Sequence, residues 1–201
     1  MNPDTVVFDL GGVLVDWDPR HLYRKLIPDD AEREHFLSVV CPPEWNVAQD
    51  AGRTISEAVA EAIGRHPDKE ALIRAFYDRF DEMLAGPIAG TVDILERLHS
   101  RGTPLYALTN WSAETFPVGR RRFGFLDRFR HITVSGELKL AKPDPAIYLH
   151  VLAAARKEAR QCVFIDDSPK NVEAARALGF HAIHFRNPQA LGAELEQLGF
   201  L

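Results

Sequence analysis

Five short, almost continuously apolar runs constrain this chain more than anything else in it: Thr5–Phe8, Leu105–Leu108, His131–Val134, Cys162–Ile165 and Ala182–Phe185. A strand apolar at every position is covered on both faces, as parallel strands packed between helices are. Helical patterns lie between and after the runs. Thr91–Arg101 carries Val92, Leu95 and Leu98 on one stripe and stops at Gly102. Pro145–Ala155 is similar, Asn171–Leu178 ends at Gly179, and Gln189–Leu198 ends at Gly199. This alternation over roughly 88–201 predicts an α/β fold, a doubly wound parallel sheet.

Residues 19–86 break the rhythm. They contain no convincing strand; helical stretches are expected at His21–Leu26, Asp30–Val39, Ile55–Gly64 and Lys69–Leu84, punctuated by Pro28, Pro42-Pro43 and Pro67. A helical insert after the first strand is the simplest organisation, and 201 residues suit one domain carrying such an insert. The formal net charge of −5 and the lack of a basic stripe argue against nucleic acid and anionic membrane as partners. The arginines at 120–122 read as a solvated helix end. No apolar run approaches the roughly 18 residues of a spanning helix, and no charged-then-apolar leader opens the chain, so a cytoplasmic location is expected. Cys41 and Cys162 lack disulfide spacing, and no histidine pairs with an acid at zinc-ligand spacing. Oligomeric state has no sequence signature here.

Four polar sites fall at or just beyond the apolar runs. Each has an ordinary reading when taken singly: Asp9-Leu10-Gly11-Gly12 as a turn, Thr109-Asn110 as a strand end, Lys142-Pro143-Asp144-Pro145 as a proline-initiated helix with a solvated lysine. The fourth, Asp166-Asp167-Ser168-Pro169-Lys170-Asn171, is more demanding, because paired carboxylates at a buried strand end need a cation or donors to compensate them. In an open parallel sheet all four sites share one edge. Three acids there without His or Cys suit Mg²⁺. A hydroxyl and a lysine beside them suit a phosphoryl dianion, with Asp9 as nucleophile and an aspartyl-phosphate as intermediate.

The segments FDLGGVLVD, LTN, LKLAKPDPAIY and FIDDSPKN, taken in that order, resemble the four motifs of the haloacid dehalogenase-like hydrolases. The first motif is most similar to the Asp-Leu-Gly-(Asn/Gly)-Val sugar-phosphate phosphatases. The resemblance implies a Rossmann-like core at 1–18 and 87–201 with a helical cap at 19–86. It implies a magnesium-dependent phosphatase acting on a small phosphorylated metabolite, with a sugar phosphate as one candidate. Asp9 is then nucleophile and metal ligand, and Thr109, Asn110 and Lys142 hold the phosphoryl group, Lys142 also taking part in catalysis. Asp167, with Asp166 in the same site and the Gly11 carbonyl, completes the metal set.

Gly11 departs from the family's usual Asp-x-Asp, in which the second aspartate is the general acid. A glycine keeps the carbonyl and loses the proton donor. Asp16 and Asp18 are candidate substitutes, with structural roles as the plainer expectation. Trp17, Trp45 and Trp111 could line a pocket or pack in a core; Arg20 and His21 could meet substrate or cap a helix; Met83 and Cys162 are core candidates. Two alternatives remain open. One is a metal-free 2-haloacid dehalogenase using Asp9, against which the paired acids argue. The other is a binding protein on the same scaffold that has lost turnover with the acid.

Overall fold

A computed structural model of the chain describes residues 3–201. Seven strands are present among them: β1 (Thr5–Phe8), β2 (Val15–Trp17), β3 (Leu84–Pro87), β4 (Leu105–Thr109), β5 (His131–Val134), β6 (Cys162–Asp166) and β7 (His181–His184). Five form a parallel sheet in the order β5-β4-β1-β6-β7, with the first strand at its centre. The chain winds outward from β1 to β4 and β5, then returns across β1 to β6 and β7. The order therefore reverses beside β1, and a crevice opens at the carboxyl ends of the strands there.

Strand pleating explains the unbroken apolar runs. Val7 pairs in register with Tyr106 and Phe164, and these residues pack with Tyr148 of the helix Pro145–Ala155. Val6 and Phe8 point the other way, into a core shared with Leu95 of the helix Ala89–Ser100 and Leu191 of Pro188–Gln197. β1, β4 and β6 are buried at every position. The doubly wound α/β sheet is thus as expected.

The differences lie at boundaries and in the insert. The last strand starts at His181 and not Ala182, because this edge strand is covered on one side only and its exposed first residue carries no apolar signal. The helices Pro169–Ala177 and Pro188–Gln197 begin earlier than the apolar stripe suggests, each on a proline whose fixed φ and missing N–H suit the first turn. The same physics corrects the treatment of Pro42-Pro43 as mere punctuation. Pro43 opens a helix, Pro43–Asp50. Nor is the segment 19–86 free of strand: Leu84–Pro87 pairs antiparallel with Val15–Trp17, so both ends of the helical segment leave from one two-stranded stem. The helix expected over Lys69–Leu84 runs only over Glu70–Asp78, a 3₁₀ turn follows at Phe80–Met83, and Gly86 and Pro87 belong to β3.

Between the stem strands, Arg20–Leu26, Asp30–His35 with a π-helical turn over Phe36–Val40, Pro43–Asp50, Ile55–Arg65 and Glu70–Asp78 surround Tyr23, Trp45 and Phe76. Trp45 donates from Nε1 to the Ala58 carbonyl, which makes it a packing residue. Met83 and Cys162 are fully buried, as expected, and Arg120, Arg121 and Arg122 end an exposed helical turn. No helix among the described residues is long and apolar enough to cross a membrane. Three contacts tie the helical segment to the sheet: the Glu114 carboxylate accepts from Ile55 N, Arg122 donates to the Asp81 carbonyl, and Ser135 Oγ donates to the Asp50 carbonyl.

Leu95, fully buried between sheet and helices, tests this packing. Leu95→Ala is expected to cost about 2–5 kcal/mol of stability. In urea denaturation the midpoint should fall with the slope unchanged.

Candidate active site

Strand ends deliver the motif residues other than Lys142. β1 stops at Phe8 because Asp9 turns away from the ladder, its N–H still held by the Ile165 carbonyl. Gly12 follows with φ of 72°, and a Cβ there would overlap the Asp167 carboxylate. Only glycine allows the first loop and the loop after β6 to approach this closely. β4 ends at Thr109, β6 at Asp166, and Lys142 reaches in from the segment before the helix Pro145–Ala155.

Carboxylate oxygens of Asp9, Asp166 and Asp167 lie within 4.8 Å of one another. Lys142 Nζ lies 2.9 Å from Asp9 Oδ1 and 2.7 Å from Asp166 Oδ2, and donates to the Leu108 carbonyl at 2.9 Å. Those contacts use all three ammonium protons. The lysine is therefore buried, where a solvated one was the plainer expectation. Burial works against its charge, but Asp9 and Asp166 outweigh that and hold the ammonium above its ordinary range. Burial raises the Asp9 carboxyl; Lys142 opposes the rise and Asp166 adds to it. Asp167 is raised as well, by burial and then by Asp166.

The acids are not equivalent. Asp166 Oδ1 accepts from Ser168 N at 2.8 Å and from Asn171 Nδ2 at 3.0 Å, so this carboxylate is fully committed to donors. Asp9 Oδ1 accepts from Leu10 N at 2.7 Å as well as facing Lys142, while among the described residues none donates to its Oδ2. The Asp167 side chain likewise takes no hydrogen bond from another described residue. Three carboxylates against one ammonium leave negative charge in excess, and two of the carboxylates keep free oxygens. An all-oxygen donor set of this kind fits a hard divalent cation such as Mg²⁺.

Thr109 is buried at the end of β4, and its hydroxyl makes no hydrogen bond to another described side chain or backbone group. Asn110 pins the lysine loop, accepting from Lys142 N at 2.8 Å and donating to Lys142 O at 3.0 Å, with a second amide N–H left to offer. Asp16 and Asp18 lie outside the carboxylate cluster. Asp16 is 3.0 Å from His21 Nε2, and Asp18 accepts from Arg20 N at the start of a helix. Arg20 itself forks onto Glu34.

Above Gly11 lies a small cavity of about 60 Å³, lined also by Trp17, Asn46, Asp50, Phe80, Asn110 and Trp111. Trp17 and Trp111 are thus pocket residues and Trp45 is not. Asn46 and Asp50 were not legible in the sequence, since both sit on the helix hidden behind Pro42-Pro43. Asn171 stood in the fourth motif without an assigned role. Burial pushes the Asp50 carboxyl up to about 7, with the Ser112 backbone amide pulling against it.

A family model described as haloacid dehalogenase-like hydrolase matches residues 3–179. The chain belongs to that family and is a hydrolase. It is 28% identical over 195 residues to the sesquiterpene phosphatase astK of Aspergillus oryzae, covering 96% of this chain and 94% of that protein. It is 30% identical over 209 residues to a phosphoglycolate phosphatase of Chromobacterium violaceum, covering 94% and 90%. Among solved structures it resembles a HAD family enzyme of Bacteroides thetaiotaomicron in complex with magnesium and inorganic phosphate, with a TM-score of 0.68, 26% identity, and coverage of 92% of this chain and 95% of that one.

The Asp50 shift has a stability consequence. With a folded value raised above the unfolded one, its contribution is fully present below about pH 4 and is lost as pH rises through about 7. Asp50→Asn should remove that loss. The variant's melting temperature, compared with wild type at pH 5 and pH 8, is expected to gain on wild type at the higher pH.

Proposed function

We propose that this hydrolase is a magnesium-dependent phosphomonoesterase that transfers the phosphoryl group of a small substrate to Asp9 and then to water. The observation that carries this is the cluster of Asp9, Asp166 and Asp167 within 4.8 Å, bound on one side by Lys142. Asp9, Asp167 and the Gly11 carbonyl would hold Mg²⁺, with Asp166 in the same site, and the ion supplies the positive charge that lets a carboxylate meet a phosphoryl dianion. Lys142 takes one Asp9 oxygen and so presents the other, Oδ2, to phosphorus. The Oδ2–P bond forms as the ester oxygen leaves with its electron pair. Water then attacks phosphorus of the aspartyl-phosphate, releasing phosphate and restoring the carboxylate. The Thr109 hydroxyl and the Asn110 amide would hold the phosphoryl oxygens, and Lys142, its three protons committed to Asp9, Asp166 and the Leu108 carbonyl, adds its positive charge beside them. In this scheme residues 1–18 and 87–201 are the catalytic core and 19–86 the cap that encloses the leaving group.

Asp9→Asn tests the assignment. The amide is nearly isosteric but a poor nucleophile, and turnover should fall by at least about 10²-fold with an unchanged circular dichroism spectrum. Activity on a panel of phosphorylated metabolites, sugar phosphates included, should vanish in EDTA and return with Mg²⁺, with Ca²⁺ supporting it poorly. Full activity after exhaustive chelation would overturn the metal assignment and move the chain to dehalogenase-type chemistry.

Gly11 yields a second expectation. A Cβ at this position would meet nothing within 4 Å, so a side chain can start here without a clash, and no acid is present. Rates on aryl and alkyl phosphates should therefore depend steeply on leaving-group pKa, and Gly11→Asp should flatten that dependence, rescuing the poorest leaving groups by about 10²-fold or more. A shallow wild-type dependence would instead assign the proton to another carboxyl. Asp50, which shares the cavity with Gly11, then precedes Asp16 and Asp18.

A further inference from the structure

The cavity above Gly11 is more selective than its mixed lining suggests, because most hydrogen-bonding groups of its polar side chains are already engaged. Asn46 Nδ2 donates to Asp50 Oδ2 at 3.0 Å, and Asn46 Oδ1 accepts from Tyr77 at 3.1 Å. The Tyr77 hydroxyl in turn accepts from Gln49 at 3.0 Å. Asn110 spends its carbonyl and one N–H on the Lys142 backbone, and Trp111 Nε1 donates to Thr115 Oγ1 at 3.1 Å. What remains toward a ligand is chiefly aromatic surface from Trp17, Phe80 and Trp111, with the bare backbone of Gly11, the Asp50 carboxyl and one unused N–H each on Asn46 and Asn110. Trp17 Nε1, buried without a partner, is an isolated donor that cannot serve the several hydroxyls of a sugar. Each hydroxyl buried there without a partner would cost about 1–3 kcal/mol.

Charge points the same way. Among the described residues lining this cavity none is lysine, arginine or histidine, and Asp50 contributes a carboxyl. A carboxylate or second phosphate on the substrate would find no cation and would face an acid. The apolar surface also extends beyond the first cavity. A second, of about 330 Å³, shares Trp17 and Asn46 as walls and is lined further by Leu37, Cys41, Pro42 and Phe76, and also by Asp18 and Arg20, whose charges are paired with each other and with Glu34.

We propose that the alcohol half of the substrate is apolar: an alkyl, prenyl or aryl monophosphate whose hydrocarbon lies against Trp17, Phe80 and Trp111 and extends toward the second cavity. This rests on the phosphatase assignment above and names its substrate class. A sugar phosphate or phosphoglycolate is disfavoured by the same walls.

The test compares esters with similar primary leaving groups on the full-length protein with Mg²⁺: ethyl, butyl and hexyl phosphate against glucose 6-phosphate and phosphoglycolate. Burial of a methylene is worth about fourfold, so kcat/KM should climb by about three- to fourfold per methylene while the chain fits, and hexyl phosphate should exceed both polar substrates at least tenfold. Hexylphosphonate should compete at lower concentration than ethylphosphonate by a matching factor. Trp17→Ala should lower the hexyl-to-ethyl ratio, a quantity internal to the variant. Acetyl phosphate, which needs no apolar contact, reports on the phosphatase chemistry alone. If acetyl phosphate is hydrolysed with dependence on Asp9 and Mg²⁺ while the alkyl series is flat, or while glucose 6-phosphate or phosphoglycolate is preferred, the substrate class is overturned and the chemistry stands. If acetyl phosphate is not hydrolysed, both fall together.

Discussion

The structure turns on a single buried ammonium. Lys142 has a side chain 1% exposed, and it faces two carboxylates that are 10% and 0% exposed. None of these charges could be buried alone, and removing one partner from such a set leaves an uncompensated charge costing about 3–5 kcal/mol. Because its three protons go to Asp9, Asp166 and the Leu108 carbonyl, the lysine ties together the ends of β1, β6 and β4. The Phe164 ring lies 5.7 Å beneath the ammonium, and Asn110 holds the lysine's own backbone from both sides. The central strands can end in acids only because this cation is delivered among them.

One ammonium does not balance three acids, and the imbalance gives the cluster a direction. Asp166, saturated by Lys142, Ser168 and Asn171, is the closed side. Asp9 Oδ2 and the Asp167 carboxylate form the open side. Gly12 lets Asp167 settle against the first loop, so its carboxylate comes within 4.8 Å of those of Asp9 and Asp166. Charge compensation is internal on one face and left to a cation on the other. That asymmetry is what the proposed phosphoryl transfer would use, and a purely structural ion network would have no need of it.

Much of this was legible from residues 1–18 and 87–201 because parallel strands buried on both faces write themselves as unbroken apolar runs. The carboxyl edge of such a sheet also gathers whatever follows each run, so Asp9, Thr109, Lys142 and Asp166-Asp167 could be placed together without coordinates. The helical segment was less legible. Pro43 looks like a breaker and is in fact a helix start, and β2 and β3 are too short to leave a periodic signature. Edge strand β7 hid its first residue because His181 faces solvent. Asn46 and Asp50 could not be anticipated, since polar residues on an amphipathic helix ordinarily mark its wet face. Here they face the sheet across a cavity.

Gly11 joins the two halves of the molecule. The proposed chemistry depends on residues at the sheet edge, whereas the space beyond the phosphoryl group is shaped by the helical segment and by the side chain that position 11 lacks. The glycine removes a proton donor and, in the same step, leaves open room beside the nucleophile. A leaving group that needs no proton and wants no hydrogen bonds suits both consequences, as a phenol does and a polyol does not. The polar groups of the helical segment are spent on Tyr77, the Ser112 amide and one another, which holds the segment in place and keeps water-like partners out of the cavity. The missing acid and the aromatic walls then work in one direction, because an aspartate at position 11 would put a second carboxyl beside Asp50 in a space otherwise walled largely by Trp17, Phe80 and Trp111.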